Sequence, residues 1–270
     1  MKSQGGVMTI SLAVVLGPGG PVGTAWMAGL ARGLRDRGHD LGAADLLVGT
    51  SAGAIVAAAL TTGRDLADLE ELPESKVPSA GPERLGEVFA LLGKEGLAPD
   101  AALREVGLLA AAAAPYPEEL HLAQMGWTIG GDPAWPSTPL LIPTVNAATG
   151  RPVVWSREDG VPLRAAVAAS TAMPTLSPPV TLRGEPHLDG ALRAGANADL
   201  AAHAGFVVVL EPMGHAFPTP PLPEGAGLKI VPDDASVGAI GPDVGRRAAW
   251  TPSYRAGRAQ AEAVAPLLSR

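Results

Sequence analysis

The 270-residue chain is predicted to fold as an α/β protein, with three layers in the order α/β/α around a mainly parallel central sheet. Three observations predict it. Apolar β-type runs alternate with helical segments along the chain, the pattern of parallel strands joined by crossover helices. Two of those runs, at 9–16 and 45–48, empty through glycine-bearing turns straight into helices. Hydrophobic residues make up 47% of the chain against 17% charged, enough at this length for a substantial core.

The first run, Thr9-Ile10-Ser11-Leu12-Ala13-Val14-Val15-Leu16, reads as a buried strand. It leads into Gly17-Pro18-Gly19-Gly20-Pro21-Val22-Gly23-Thr24, ahead of a helix over 25–36. Such a loop suits an anion, and three chemistries compete for it. A dinucleotide fingerprint needs a third glycine where Val22 stands. A phosphate-binding loop needs a Gly-Lys-Ser/Thr that does not follow. An oxyanion hole needs only backbone donors. Pro18 and Pro21 have no N–H, which leaves Gly19, Gly20 and Val22. Gly19 and Gly20 are the best candidates, because backbone without side chains approaches a substrate oxygen most closely.

The second run, Asp45-Leu46-Leu47-Val48, continues as Gly49-Thr50-Ser51-Ala52-Gly53 and then an Ala-rich helix over 52–61. A serine on a sharp strand-to-helix turn has its hydroxyl forced outward, and Gly49 and Gly53 remove Cβ atoms that would clash. Ser51 is therefore the candidate nucleophile, with a helix N-terminus aimed at the charge that develops during acyl transfer. By itself the pentapeptide is also compatible with an ordinary glycine-rich turn in which Ser51 caps a helix.

Residues 64–137 are less regular. Glu70, Glu71, Pro73, Glu74 and Pro78 read as a loop, and 101–114 as a helix. This stretch is read as an insertion over the active site that lines an acyl pocket and moves as a lid, or equally as a packed helical layer without a gating role. Strands follow near 139–146, 152–155, 180–188, 206–211 and 228–231, with an irregular proline-rich loop over 212–223 and a closing amphipathic helix over 251–270. The arginines at 246, 247, 255 and 258 are read as a solvated face. At the end of the 180–188 strand stands Pro186-His187-Leu188-Asp189-Gly190-Ala191, whose Asp-Gly is a turn signal in isolation.

Taken together, the glycine loop at 17–23, the Gly-x-Ser-x-Gly elbow at 49–53 and Asp-Gly-Ala at 189–191 resemble the patatin-like phospholipases, which carry these three motifs in this order. The segment from Ala165 through Met173-Pro174 to Val180 is similar to the one ahead of that family's catalytic aspartate, and Asn197-Ala198-Asp199-Leu200 to the one after it. The resemblance implies a single patatin-like domain spanning 1–270. It implies hydrolysis of lipid or small acyl esters by a Ser51/Asp189 dyad without histidine, with no metal and no organic cofactor. An aspartate near its reference pKa of ~3.9 is a weak base for a hydroxyl, so proton transfer is expected to be concerted with attack. Many members have Arg or Lys where Val22 stands and Gly where Pro18 stands, so an anionic headgroup is expected to find no partner in this loop.

Two other readings make different demands. An α/β-hydrolase triad needs a histidine after Asp189, and the chain offers His215, just past a strand end, and His203, in an apparent Ala-rich helix. A catalytically silent acyl-binding module would keep Ser51 only as a cap. His39, His121 and His187 are scattered without metal-ligand spacing and read as structural or exposed. The chain has no cysteine, a net charge of −7 and no apolar run long enough for a transmembrane segment. A cytoplasmic protein is expected, without nucleic acid as a partner and with at most transient peripheral contact with membranes.

Overall fold

A computed structural model of the protein describes residues 10–71, 84–219 and 222–269. Thr9, Pro73, Glu74, Pro78 and Arg270, which figure in the sequence reading, lie outside the described residues. Among the described residues the sheet contains eight strands: β1 (Leu12–Leu16), β2 (Leu46–Gly49), β3 (Leu140–Asn146), β4 (Pro152–Trp155), β5 (Val180–Leu182), β6 (Glu185–Asp189), β7 (Phe206–Leu210) and β8 (Gly227–Ile230). Their order is β5-β6-β3-β2-β1-β7-β8, with β4 also paired to β3. The half running β3-β2-β1-β7-β8 is parallel. The half built from β4, β5 and β6 is antiparallel.

That second half departs from the single strand expected over 180–188. Leu182 pairs with Glu185 across a two-residue turn, and both turn residues, Arg183 and Gly184, have positive φ, 51° and 80°. A two-residue loop with both residues left-handed matches the right-handed twist of a hairpin. Arg-Gly is a weaker signal for that turn than Asn-Gly, so the run reads as one strand from sequence alone.

Nine helices flank the sheet: α1 (Gly20–Arg35), α2 (Ala52–Thr61), α3 (Leu85–Leu92), α4 (Pro99–Ala112), α5 (Glu118–Ile129), α6 (Leu163–Ser170), α7 (Ala191–Ala194), α8 (Asp234–Ile240) and α9 (Trp250–Leu268) are those among the described residues. Side chains alternate along each strand, and the core divides accordingly. Val14, Leu16, Leu47, Val208 and Leu210 share one face with α1, α2, α6 and α9. Ala13, Val15, Leu46, Val48, Val207 and Val209 share the other with Ala196 and Ala201. Burying one such Leu or Val fully stabilises by about 1.5–3 kcal/mol, so register is strongly specified.

α1 and α9 approach unusually closely. A Cβ on Gly29 would lie 1.9 Å from the Tyr254 carbonyl oxygen, and one on Gly257 would lie 2.2 Å from that of Trp26. The buried Trp26 indole donates to Gln260 Oε1 at 2.9 Å, and Gln260 also accepts from Ser236 on α8. Of the arginines read as solvated, Arg255 pairs with Glu70 and Arg258 with Asp36.

The described part of the segment 64–137 divides between the two faces. α5 packs on α2 and α6. α3 and α4 instead place Val88, Val106 and Ala110 against Ala147 and Leu188, beneath the strand that carries Asp189. His203 lies in a turn after a short 3₁₀ segment, Ala198–Ala201, and not in the helix expected there.

Candidate active site

β2 ends at Gly49, and α2 begins three residues later, so the chain must reverse within Thr50 and Ser51. Ser51 takes φ 54° and ψ −118°, a region that side-chain-bearing residues rarely occupy and that costs of order 1–3 kcal/mol. Gly53 is required by contact: a Cβ there would sit 1.9 Å from the Leu16 carbonyl oxygen. A Cβ on Gly49 would sit 2.7 Å from Ala54 Cα. Gly49 thus lets α2 fold back on the end of β2, and Gly53 lets it start directly against β1.

Asp189 is the last residue of β6 and pairs in register with Thr144 of β3. This brings it beside the elbow from 138 positions away, with Ser51 Oγ donating to Asp189 Oδ2 at 2.7 Å. The other oxygen, Oδ1, accepts from the Ala191 N–H at 2.8 Å. Asp189 is 1% exposed. Burial pushes its carboxyl up to about 7, opposed by the hydrogen bonds from Ala191 and Ser51. An ordinary aspartate pKa was expected from sequence, and the difference arises because burial is a property of the fold. A base poised near neutrality is far better matched to a serine proton than one near 4.

The glycine loop runs from β1 into α1. Among the described residues, neither the Gly19 nor the Gly20 N–H has a hydrogen-bond partner. Pro21 supplies no donor, and the Val22 N–H, counted as available from sequence, is turned to the Val244 carbonyl at 3.4 Å. Pro212 lies so close to Gly19 that a Cβ there would meet it at 2.7 Å, fixing the loop against the end of β7. Val22 is fully buried, so its side chain packs in the core.

One contributor escaped the sequence reading. Ser170, at the end of α6, accepts from the Ser51 N–H at 3.1 Å and donates to the Pro143 carbonyl at 2.8 Å. The N–H of the candidate nucleophile is therefore committed to holding the turn. Nothing local distinguishes Ser170 from any serine ending a helix.

The three motif regions thus converge on one end of the sheet, and the profile of the patatin-like phospholipase family matches residues 14–202. The chain belongs to this family. Among solved structures, this patatin-like chain is similar to VipD from Legionella pneumophila at 14% identity and a TM-score of 0.46, covering 94% of this chain and 67% of that one. It is also similar to the type III effector protein ExoU at 17% identity and a TM-score of 0.37, covering 94% of this chain and 53% of ExoU. No curated protein matches it.

The histidines of the patatin-like chain stand apart from this arrangement. His203 and His215 are exposed, and no hydrogen bond joins either to Ser51 or Asp189 among the described residues. His121 is buried, bonded to the Ala168 carbonyl and Thr171, with burial lowering its pKa to about 4. His187, also buried, meets the Thr144 hydroxyl at 3.1 Å and is likewise lowered to about 4 by burial. His39 is half-buried beside Ser269. No cluster of metal-ligating side chains and no helix long and apolar enough to cross a membrane occurs among the described residues.

Proposed function

We propose that the protein is a serine acyl hydrolase that cleaves carboxylic esters of lipids or small acyl esters with Ser51 and Asp189 as a catalytic dyad. The observation that carries this reading is the 2.7 Å bond from the Ser51 hydroxyl to a buried carboxylate, made directly and with no imidazole between them. Ser51 Oγ attacks the ester carbonyl as its proton passes to Asp189 Oδ2. The oxyanion is stabilised by the Gly19 and Gly20 N–H groups, which have no competing partners among the described residues. Collapse expels the alcohol, which takes the proton from Asp189, and leaves an acyl group on Ser51. Water then attacks the acyl-enzyme with Asp189 again as base, releasing the carboxylic acid and restoring the serine.

The reading covers residues 1–270 as one domain in which the segment 64–137 is an insertion. Its α3–α4 pair, packed against Leu188 and the partly buried Leu192 on either side of Asp189, is read as one wall of the acyl pocket. The test is labelling with a fluorophosphonate probe, followed by a panel of esters of increasing chain length beside phospholipids. Labelling and turnover that both vanish in Ser51→Ala support the dyad. An unlabelled, folded wild-type protein establishes the silent binding module instead.

A further inference from the structure

Asn197 is fully buried and adopts a left-handed conformation, φ 59° and ψ 35°, which Asn tolerates better than most residues. Its side-chain amide nitrogen lies 3.0 Å from each of three oxygens: Thr50 Oγ1, the Gly190 carbonyl and the Gly195 carbonyl. Its amide oxygen accepts from Arg193 Nη1 at 2.7 Å, and Arg193 is itself held by Asp199. Thr50 immediately precedes Ser51, and its hydroxyl passes its own proton on to the Ala196 carbonyl at 3.3 Å. The Gly190 carbonyl belongs to the same peptide unit as the Ala191 N–H, which bonds Asp189 Oδ1 at 2.8 Å.

We infer that Asn197 is a positioning residue of the hydrolase: it fixes and polarises the Gly190–Ala191 peptide that orients the Asp189 carboxylate, and through Thr50 it ties that peptide to the nucleophile turn. The inference rests on the dyad reading above. Hydrogen bonds in series strengthen one another, so a donor on the Gly190 carbonyl makes the Ala191 N–H a better donor to the carboxylate. The Gly190 carbonyl also accepts from the Arg193 N–H at 3.1 Å, within the short helix α7, so Asn197 is one of two donors to it and the one that also reaches the nucleophile turn. The far side of the peptide is closed by β3, where a Cβ on Gly190 would lie 2.1 Å from the Pro143 carbonyl. On the preceding peptide, the Gly190 N–H donates to the Ser170 backbone carbonyl at 3.3 Å.

The consequence is a signature in pH dependence. The Ala191 N–H favours the ionised form of Asp189, so weakening it moves the carboxyl further up. The titratable groups on the packed elements leave that signature clean. On β6, His187 is lowered to about 4 by burial; on α7, Arg193 is paired with Asp199; at the elbow, Ser51 donates to the carboxylate; β3 and α6 present the neutral Thr144 and Ser170.

The test is Asn197→Gly, which keeps the left-handed backbone accessible while deleting the amide. The pH profile of kcat/KM on a soluble neutral ester is measured beside wild type and Ser51→Ala. The expected result is an acid limb displaced upward by about one pH unit, hence about tenfold lower activity at pH 6, with KM within about threefold. Thr50→Val, close in shape, removes the Asn197–Thr50 and Thr50–Ala196 bonds while leaving the Gly190 arm in place, and should lower kcat above pH 8 without moving the limb. It also serves as the test if Asn197→Gly does not fold. A folded Asn197→Gly with the wild-type limb overturns the inference, as does a Thr50→Val enzyme with wild-type kcat. Full activity in Ser51→Ala would instead overturn the dyad itself.

Discussion

If Asp189 is the base, the rate must follow its ionisation, and burial places that ionisation near neutrality. With the carboxyl at about 7, the ionised fraction is about 1% at pH 5, about 10% at pH 6 and about 90% at pH 8. Below pH 6, log kcat/KM should therefore rise with unit slope. The measurement is pH-stat titration of a soluble short-chain ester, corrected for spontaneous hydrolysis. His121 and His187 cannot produce this limb, because burial lowers both to about 4. An equilibrium counterpart follows with its sign fixed. A folded pKa above the unfolded one means stability that is fully present below pH 3.8 and lost as pH rises through about 7. The displacement from 3.8 to about 7 corresponds to about 4 kcal/mol at pH 8. Asp189→Asn never ionises, so it should be inactive yet more stable than wild type to urea at pH 8, with the advantage fading toward pH 4. Wild-type activity at pH 5 within twofold of that at pH 8, or an Asp189→Asn protein less stable at pH 8 than at pH 4 relative to wild type, would refute the argument.

Ser51→Ala should abolish ester turnover and shift the thermal midpoint by only a few degrees, since a small side chain still fits the turn; scanning calorimetry and a fluorogenic ester together check this. His203→Ala and His215→Ala should each keep kcat/KM within about threefold, because both side chains are exposed and unconnected to the dyad; a loss as deep as that of Ser51→Ala would restore the triad. Gly53→Ala forces a Cβ to 1.9 Å from the Leu16 carbonyl oxygen, and should cost about 3 kcal/mol or more, seen as a melting point lower by roughly 6–12 °C. The net charge of −7 predicts slower hydrolysis of phosphatidylglycerol than of phosphatidylcholine vesicles at low salt, with the gap closing as ionic strength rises; the opposite order would refute it.

What the sequence made legible was whatever is encoded locally. α2 falls at Ala52–Thr61 and β4 at Pro152–Trp155, the limits read from composition and turn residues. Ser51 and Asp189 were legible as motifs, each on its own strand end. Their pairing was expected only through the family resemblance, because the antiparallel entry of β6 beside β3 that produces the 2.7 Å contact is recorded by no periodicity. The hairpin within 180–188 was missed because Arg183-Gly184 is a weak signal for a two-residue turn. The raised carboxyl of Asp189 and the anchoring role of Ser170 are likewise consequences of burial and register. Helix α8 (Asp234–Ile240) went unread because seven residues, one of them a Gly, carry little periodic signal.

The glycine-lined seam between α1 and α9 also sets a timetable for assembly. Trp26 and its hydrogen-bond partner Gln260 are 234 positions apart, so the first helix to be synthesised waits for the last one described. At about 5–20 residues per second, that interval is more than ten seconds. Throughout it, α1 holds Trp26, Met27, Leu30 and Leu34 ready for a neighbour not yet made. Gly29 and Gly33, which permit the eventual close approach, also weaken the helix while it stands alone. Nascent chains of this protein should therefore depend on holding chaperones until α9 emerges, and shortened chains lacking it should be recovered as aggregates.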